Sequence, residues 1–418
     1  MIQIPLLSQA STFTPEDIQA LRDDTPGTRF FRHFNYAGSS FMAASVHQVV
    51  QTYQEDELRR GGYETAQLYA AQYEQIYSEI ASMIGAQPQE IALAESATIA
   101  WYKAFGSFAF EPGDIILTCE AEYGSNFVGF LQAQKLQGIE IQVIPNNEFG
   151  ELDLDRMAEM ISPKVKLIAI THIPTHSGLV NPANEVGKIA QAAGIPYLLD
   201  ACQSAGQYPL DVREIGCDFL SVTGRKYMRA PRGTGFLYVR EAMLEHLTEP
   251  PSMDLWSAMW TERDRYEIQT SAKRFENFEN NKSNRLGLGA AASYYNQLGR
   301  ARIWQQVSAN AAAIRKGLRD IRGVKVQDTG REQCGIVTFE MEGWHPSEIQ
   351  EALHRDQIQT SISLPFGARL DMENRGIEAM VRASTHYVND ESDIQALLAS
   401  VEQLALQQPS SARSQSIH

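Results

Sequence analysis

The stretch DACQSAGQYPLDVREIGCDFLSVTGRKYMRAPRGTGFLYV, Asp200 to Val239, decides how this chain is read. Asp200 closes the apolar run PYLLD, and Lys226 follows the apolar run FLSV by a few residues. Between them the sequence reads as helix-like, and glycine and proline follow the lysine closely. In open α/β sheets ligands sit beyond the carboxyl ends of the strands. The pattern therefore predicts a carboxylate and an amine facing one crevice from neighbouring strands.

Outward from this stretch, short β-rich runs alternate with helical ones. DIILTCEAEY reads as a strand, NFVGFLQAQKLQG as a helix ending at Gly138, IEIQVIP as a strand and LDLDRMAEMI as a helix. KVKLIAITH, PYLLDA, DFLSV and GTGFLYV are further strands, with the helix NEVGKIAQAAG closed by Gly194. Near-continuously apolar strands separated by helices predict an α/β fold whose mainly parallel sheet is covered on both faces. After about Asn284 the texture changes. RLGLGAAASYYNQLGRARIWQQVSANAAAIRKGLRDI reads as a long helical region with a break near Gly299. GIVTFEME, HPSEIQEALHRD and IEAMVRASTHYVNDESDIQALLASVEQLAL then suggest a smaller α/β unit with a mixed or antiparallel sheet. The expected organisation is a large domain over 30–285, a small domain from 1–29 and 286–408, and a disordered tail over 409–418.

Composition narrows the function. At 418 residues the chain is too long for one ordinary core. Its net charge of -15 argues against a nucleic-acid binder, because phosphate contacts need a basic face. Cys119, Cys202, Cys217 and Cys334 form no CxxC pair, which suits a reducing cytoplasm. The N-terminal segment lacks the pattern of a signal peptide, and no window approaches the roughly 18–20 apolar residues of a membrane span. No HExxH, zinc ligand set, GxSxG or P-loop occurs, so no metal is expected.

A bare Asp/Lys pair reads most simply as a helix-capping aspartate and a surface lysine. The surrounding residues change that reading. A buried lysine amine has a depressed pKa and can form a Schiff base. A nearby carboxylate keeps a ring nitrogen protonated, the pairing that pyridoxal 5'-phosphate (PLP) chemistry needs. PLP also carries a phosphate, which wants a helix N-terminus with small hydroxyl residues. IALAESATIAWYKAF supplies a strand, then Ser96, Ala97 and Thr98, then a helix. Thr223 offers a second hydroxyl and Arg225 a positive charge beside the lysine.

With these residues in place, the chain resembles the class V aminotransferase superfamily of fold type I PLP enzymes. The group includes cysteine desulfurases, isopenicillin N epimerase-like enzymes and C–S lyases. The resemblance runs from FNYAGSS near the start to VRASTHYVNDESDI near the end. The family's D-x-x-Q is Asp200 to Gln203, its S/T-G-H-K is Thr223 to Lys226 with Arg225 for the histidine, and its G-L-G-A-A is Gly287 to Ala291. Its R-x-S-x-x-Y-N is Arg382 to Asn389, one residue longer before the asparagine. The resemblance implies a seven-stranded large-domain sheet and a homodimer with a shared active site. It implies that Lys226 is the Schiff-base lysine and base, that Asp200 pairs with the pyridine nitrogen, and that Gln203 bonds the ring's phenolic oxygen. Ser96, Ala97, Thr98, Thr223 and Arg225 would hold the phosphate, Thr175 or His176 would reach the ring or the substrate, and Arg382 would clamp the substrate carboxylate.

Departures from the family pattern set the expected reaction. No cysteine lies between Ser361 and Arg382, where cysteine desulfurases carry a nucleophilic one. The desulfurase motif E-H-H-A-N is EYGSN here, so Tyr123 stands where a histidine would stack on the ring. EAEYGSN, THIPTHSGLVNP and RFENFENN look like the isopenicillin epimerase and ergothioneine C–S lyase branch. The expectation is therefore β-elimination from a cysteine conjugate or sulfoxide, giving pyruvate and ammonia, with Tyr123 as proton donor. An aminotransferase or epimerase, a cysteine desulfurase-like enzyme and a non-catalytic PLP-binding protein stay open as alternatives. Arg60, in ELRRGGYETA, is a further candidate for an anionic substrate tail, although a solvated helix end is the simpler account.

Overall fold

A computed structural model describes Ile2 and residues 4–407, so the tail expected over 409–418 lies outside the described residues. Seven strands form the central sheet: β1 (Ile91–Ala94), β2 (Ile115–Cys119), β3 (Glu140–Ile144), β4 (Val165–Thr171), β5 (Tyr197–Asp200), β6 (Phe219–Thr223) and β7 (Gly235–Val239). Their order is β1-β7-β6-β5-β4-β2-β3. All neighbours are parallel except β7, which runs antiparallel to both β1 and β6. Because β7 alone is reversed, β1 and β6 point the same way. The carboxyl ends of β1, β2, β4, β5 and β6 therefore share one edge of the sheet, where the expected site residues lie.

Strands β1, β2, β5, β6 and β7 are buried along their whole length, as apolar runs covered on both faces should be. Helices α1 (Ala44–Arg60), α2 (Ala70–Ile84) and α5 (Lys282–Leu298) pack together beside the sheet, and α3 (Ala97–Phe105) and α4 (Gly124–Gln137) cover its other side. Gly287 of α5 lies against Val50 and Pro231, and Gly289 against Ile76, where a Cβ would sit 2.7 Å or less from its neighbour. The G-L-G-A-A run is thus a close helix–helix seam. After α5, Gly299 at φ +85° breaks the helical region, and α6 (Arg300–Asp320) begins at once.

A second sheet holds β8 (Val324–Val326), β9 (Ile336–Met341), β10 (Ser361–Ser363) and β11 (Met380–Ser384) in the order β8-β9-β11-β10, antiparallel throughout. Its core joins Phe34 to residues of α6 and of the C-terminal helix Glu391–Ala405. Arg382 sits on the inner strand β11, opposite Thr338 and Ser361.

The helix-like segment expected between Asp200 and Lys226 is corrected to a run of turns with one short helix, Val212–Ile215. Pro209 lacks an N–H, Asp211 caps the short helix and Gly216 ends it in the left-handed region. Gly206 has φ +97°, and a Cβ there would lie 2.3 Å from the Tyr227 carbonyl carbon. This contact packs the turn against the backbone just after Lys226. Gly206→Ala is expected to cost about 2 kcal/mol or more. A denaturation midpoint equal to that of the parent would contradict this account of the turn.

Candidate active site

Asp200 ends β5 and is 4% exposed. One carboxylate oxygen accepts the Cys202 amide at 2.9 Å, and the other accepts the Asn126 side-chain amide at 2.9 Å. Lys226 lies three residues beyond the end of β6 and is 7% exposed. Burial pushes its amine down to about 8, with Arg225 and Arg382 adding to the shift and Asp200 opposing it. The Lys226 Nζ lies 5.8 Å from the centre of the Tyr123 ring, so Tyr123 borders the space over the lysine.

The start of α3 faces the same edge. Ser96 is its N-cap, and its hydroxyl accepts the Ile99 amide at 3.2 Å, leaving the Ala97 and Thr98 amides for another acceptor. Gly235 makes this approach possible. It pairs with Ala94 on one side and Thr223 on the other, and a Cβ there would lie 3.0 Å from the Ser96 carbonyl carbon. The helix N-terminus therefore sits directly beside Thr223. Arg225 goes elsewhere: its guanidinium donates to the Gly38 carbonyl, on the side of the crevice near Asn35 and Arg382.

Arg382 reaches into the crevice from the second sheet. It donates to the Thr175 carbonyl at 2.7 Å, the Thr175 hydroxyl at 2.9 Å and the Asn35 side chain at 3.2 Å. All three acceptors are neutral, and its Nε is buried with no partner. Desolvation, aided by Arg225, pushes the guanidinium down to about 10. Gln203 also donates to Thr175, while its Oε1 is buried without a partner. His176 is held at 2.7 Å by Asp371, which also accepts from Arg375. Its other ring nitrogen is buried and unbonded.

These orphaned buried polar atoms, the free helix-terminal amides and the depressed lysine are the kind of donors and acceptors PLP requires, and the residues fit it. The structure brings together Ser96, Ala97, Thr98, Tyr123, Thr175, His176, Asp200, Gln203, Thr223, Lys226 and Arg382. Arg60 is not brought to the crevice of its own chain: it is exposed at the end of α1 and lies 3.7 Å from Asp56. His172 turns out to be structural. It is bonded to Ser204 at 2.8 Å, and burial pushes its ring down to about 4.

Sequence reasoning assigned no role to Glu122, Asn126 or Asn35. Asn126 was legible as the residue one turn beyond Tyr123 on α4, at the asparagine of EYGSN. Asn35, in FNYAGSS, carried no signal beyond its polarity. A buried network beneath α3 was equally hidden. Glu276 accepts from Arg285, Tyr77 and the Leu93 amide, and Arg285 also bonds Glu95, next to the Ser96 cap.

The sequence matches the family described as Aminotransferase class-V over residues 32–397. A probable cysteine desulfurase of Methanothermobacter thermautotrophicus is 28% identical over 351 residues, covering 83% of this chain and 87% of the relative. A probable cysteine desulfurase of Synechocystis is 28% identical over 420 residues, covering 96% and 97%. The apo structure of a cysteine desulfurase from Thermococcus onnurineus superposes with a TM-score of 0.87 at 26% identity, covering 96% of this chain and 99% of that one. These relatives overturn the expected C–S lyase acting on a cysteine conjugate or sulfoxide. The segments that suggested it carry crevice residues, Tyr123, Thr175 and His176, and scaffold residues alike. Asn126 donates to both Glu122 and Asp200, Asn181 bonds the Thr171 carbonyl, and Glu276 pairs with Arg285. Such contacts support the crevice whatever bond is broken there, so they do not report the reaction.

The fraction of neutral Lys226 amine grows as pH rises through about 8. The rate at which the unloaded protein captures PLP, followed by visible absorbance, is expected to climb between about pH 6 and 8 and level off above about 9. A rate still climbing above about pH 10 would place the amine in ordinary solvent instead.

Proposed function

The chain belongs to the class V aminotransferases, PLP-dependent enzymes, and we propose that it is a cysteine desulfurase-like member acting on L-cysteine. The buried Arg382 guanidinium, which has only neutral partners and one unbonded nitrogen, supports an amino-acid substrate, and the desulfurase relatives carry the choice of L-cysteine. A buried cation without a counter-ion is costly, and a substrate α-carboxylate would complete it as a bidentate partner. The identity and coverage of the desulfurase relatives support the same substrate class.

PLP, when bound, supplies the electron sink that weakens the bonds at the substrate's Cα. Lys226 would hold the cofactor and, once released, take and return the Cα proton, for which a pKa of about 8 suits it. Asp200 would keep the ring nitrogen protonated, and Tyr123 would cover the ring. Gln203 would meet the phenolic oxygen. Thr223, Ser96 and the free amides of Ala97 and Thr98 would take the phosphate, while Arg225, engaged with Gly38, would lend charge on the substrate side.

The sulfur acceptor comes from outside the chain in this reading. Among the described residues all four cysteine thiols are pushed up by burial, Cys202 beside the lysine included. A thiol held protonated in this way is a poor nucleophile. Two molecules of an external thiol would carry off the sulfur of one L-cysteine, leaving alanine, sulfide and a disulfide. The four unpaired cysteines suit a reducing, cytoplasmic setting.

A homodimer belongs to the same proposal. Leu58, Tyr63, Leu68, Ile99 and Phe278 are exposed apolar residues around α1 and the start of α3. Thr98 is exposed beside them, so a second copy seated there would close over the phosphate end of the site.

With PLP, L-cysteine and dithiothreitol, the enzyme is expected to release alanine and sulfide in equal amounts. Arg382→Ala should lower kcat/KM about 100-fold, mostly through KM. Pyruvate in place of alanine, or amino-group transfer to a 2-oxo acid without sulfide, would sink the reading. Light scattering should give about twice the chain mass, and an active monomer would remove the dimer.

A further inference from the structure

Behind Asp200 lies a second buried carboxylate that the proposed reaction does not use. Glu122 follows β2 by three residues and is 3% exposed. Its Oε1 accepts from the Asn126 amide at 2.8 Å, the Thr171 hydroxyl at 2.7 Å and the Tyr123 amide at 3.0 Å. Its Oε2 accepts from the Thr118 hydroxyl at 3.1 Å and faces the Cys119 thiol at 3.8 Å. Every one of these partners is neutral.

Asn126 joins the two carboxylates. Its one side-chain nitrogen donates at 2.8 Å to Glu122 and at 2.9 Å to Asp200. An amide nitrogen has two hydrogens, so this geometry uses both. Asp200 is thereby fixed by the bridge on one oxygen and by the Cys202 amide on the other. The same cluster holds Tyr123, whose amide donates to both Glu122 and Thr171. The backbone of the residue bordering the lysine and the carboxylate at the end of β5 thus share one anchor, reached from β2, β4 and α4.

We propose that Glu122 is a positioning residue of the cofactor site: through the shared Asn126 amide it orients the Asp200 carboxylate toward the cofactor's ring nitrogen and sets how firmly the proton there is held. The inference rests on the partnership of Asp200 with that nitrogen proposed above.

The charges around Glu122 give the direction of the effect. Cys119 on β2, Tyr197 and Asp200 on β5, and beyond Asp200 the Lys226 amine and Cys202 thiol, are the titratable groups packed about it. Burial pushes the Glu122 carboxyl up to about 7, and the Asp200 charge adds to the shift. Burial thus favours the neutral form of the Glu122 carboxyl. When Glu122 ionises, a second negative charge stands behind Asp200 and would strengthen the hold on a proton of the bound cofactor. A permanently neutral side chain removes that reinforcement.

The test is the pH titration of the visible band of the PLP-loaded enzyme, with PLP affinity measured by equilibrium dialysis. Glu122→Gln keeps the shape and the acceptor for Asn126. It is expected to bind PLP within about threefold of the parent while the midpoint of the band shifts to lower pH. Asn126→Ala frees one Asp200 oxygen and is expected to weaken PLP binding about tenfold. If Glu122→Gln does not fold, Asn126→Ala carries the test. A midpoint unchanged in Glu122→Gln together with PLP affinity unchanged in Asn126→Ala, even with lower thermal stability, would reduce the cluster to scaffold and overturn the proposal. Asp200→Ala separates the two readings: a band and affinity that survive it would mean that the Asp200 assignment itself has failed.

Discussion

The structure turns on holding an amine and a carboxylate in one buried crevice without letting them neutralise each other. Lys226 and Asp200 each have their own support. Asp200 is tied to Asn126 and the Cys202 amide, and Lys226 borders the Tyr123 ring with its pKa depressed by burial. Had the two met as an ion pair, the amine would be protonated and of no use as a nucleophile. Their placement at the ends of β5 and β6, with the lysine carried three residues further on a turn, provides the separation. A ring that bonds both ends is the ligand such a gap suits.

The rest of the architecture protects this arrangement. Reversal of β7 brings β1 and β6 into the same direction, and Gly235 lets the start of α3 approach Thr223. Beneath it the buried ion pair Arg285–Glu276, with Glu95 and Tyr77, ties α5 and α2 to β1 and to the residue before the Ser96 cap. A buried pair of this kind is weak evidence for net stability, since desolvation opposes the attraction. What it does here is fix the height of a helix terminus against the sheet. The second sheet contributes Arg382, and His176–Asp371–Arg375 links the loop after β4 to the segment before β11. The crevice is thus closed from both sides by elements far apart in sequence.

Much of the large sheet was legible because its strands are uninterrupted apolar runs and its helices end on glycine. Gly138, Gly194 and Gly299 mark terminations that the structure contains. The direction of β7 was not legible, since a buried run such as GFLYV is apolar whichever way it points. The turns between Asp200 and Lys226 were over-read as a helix because their polar and apolar residues alternate suggestively, while Gly206 acts through a backbone contact no pattern displays. The strand-end placement of Lys226 and Asp200 on one edge was legible from the apolar runs, whereas Arg382 entered only through the family resemblance. Glu122 and Asn126 could not be given a role, because the Asp200 carboxylate to which Asn126 links Glu122 is 74 residues from Asn126 in sequence. The reaction is not legible for a related reason: the segments that look like marks of a lyase supply crevice walls and hydrogen-bonding supports, and neither names a leaving group.

The most direct measurement is to load the purified protein with PLP, reduce it with borohydride and map the modified peptide by mass spectrometry. A single pyridoxyl group on Lys226, within the segment that follows β6, is expected. A label on another lysine, or none after loading, would contradict the claim that this crevice is built around an amine and a carboxylate held apart for one cofactor.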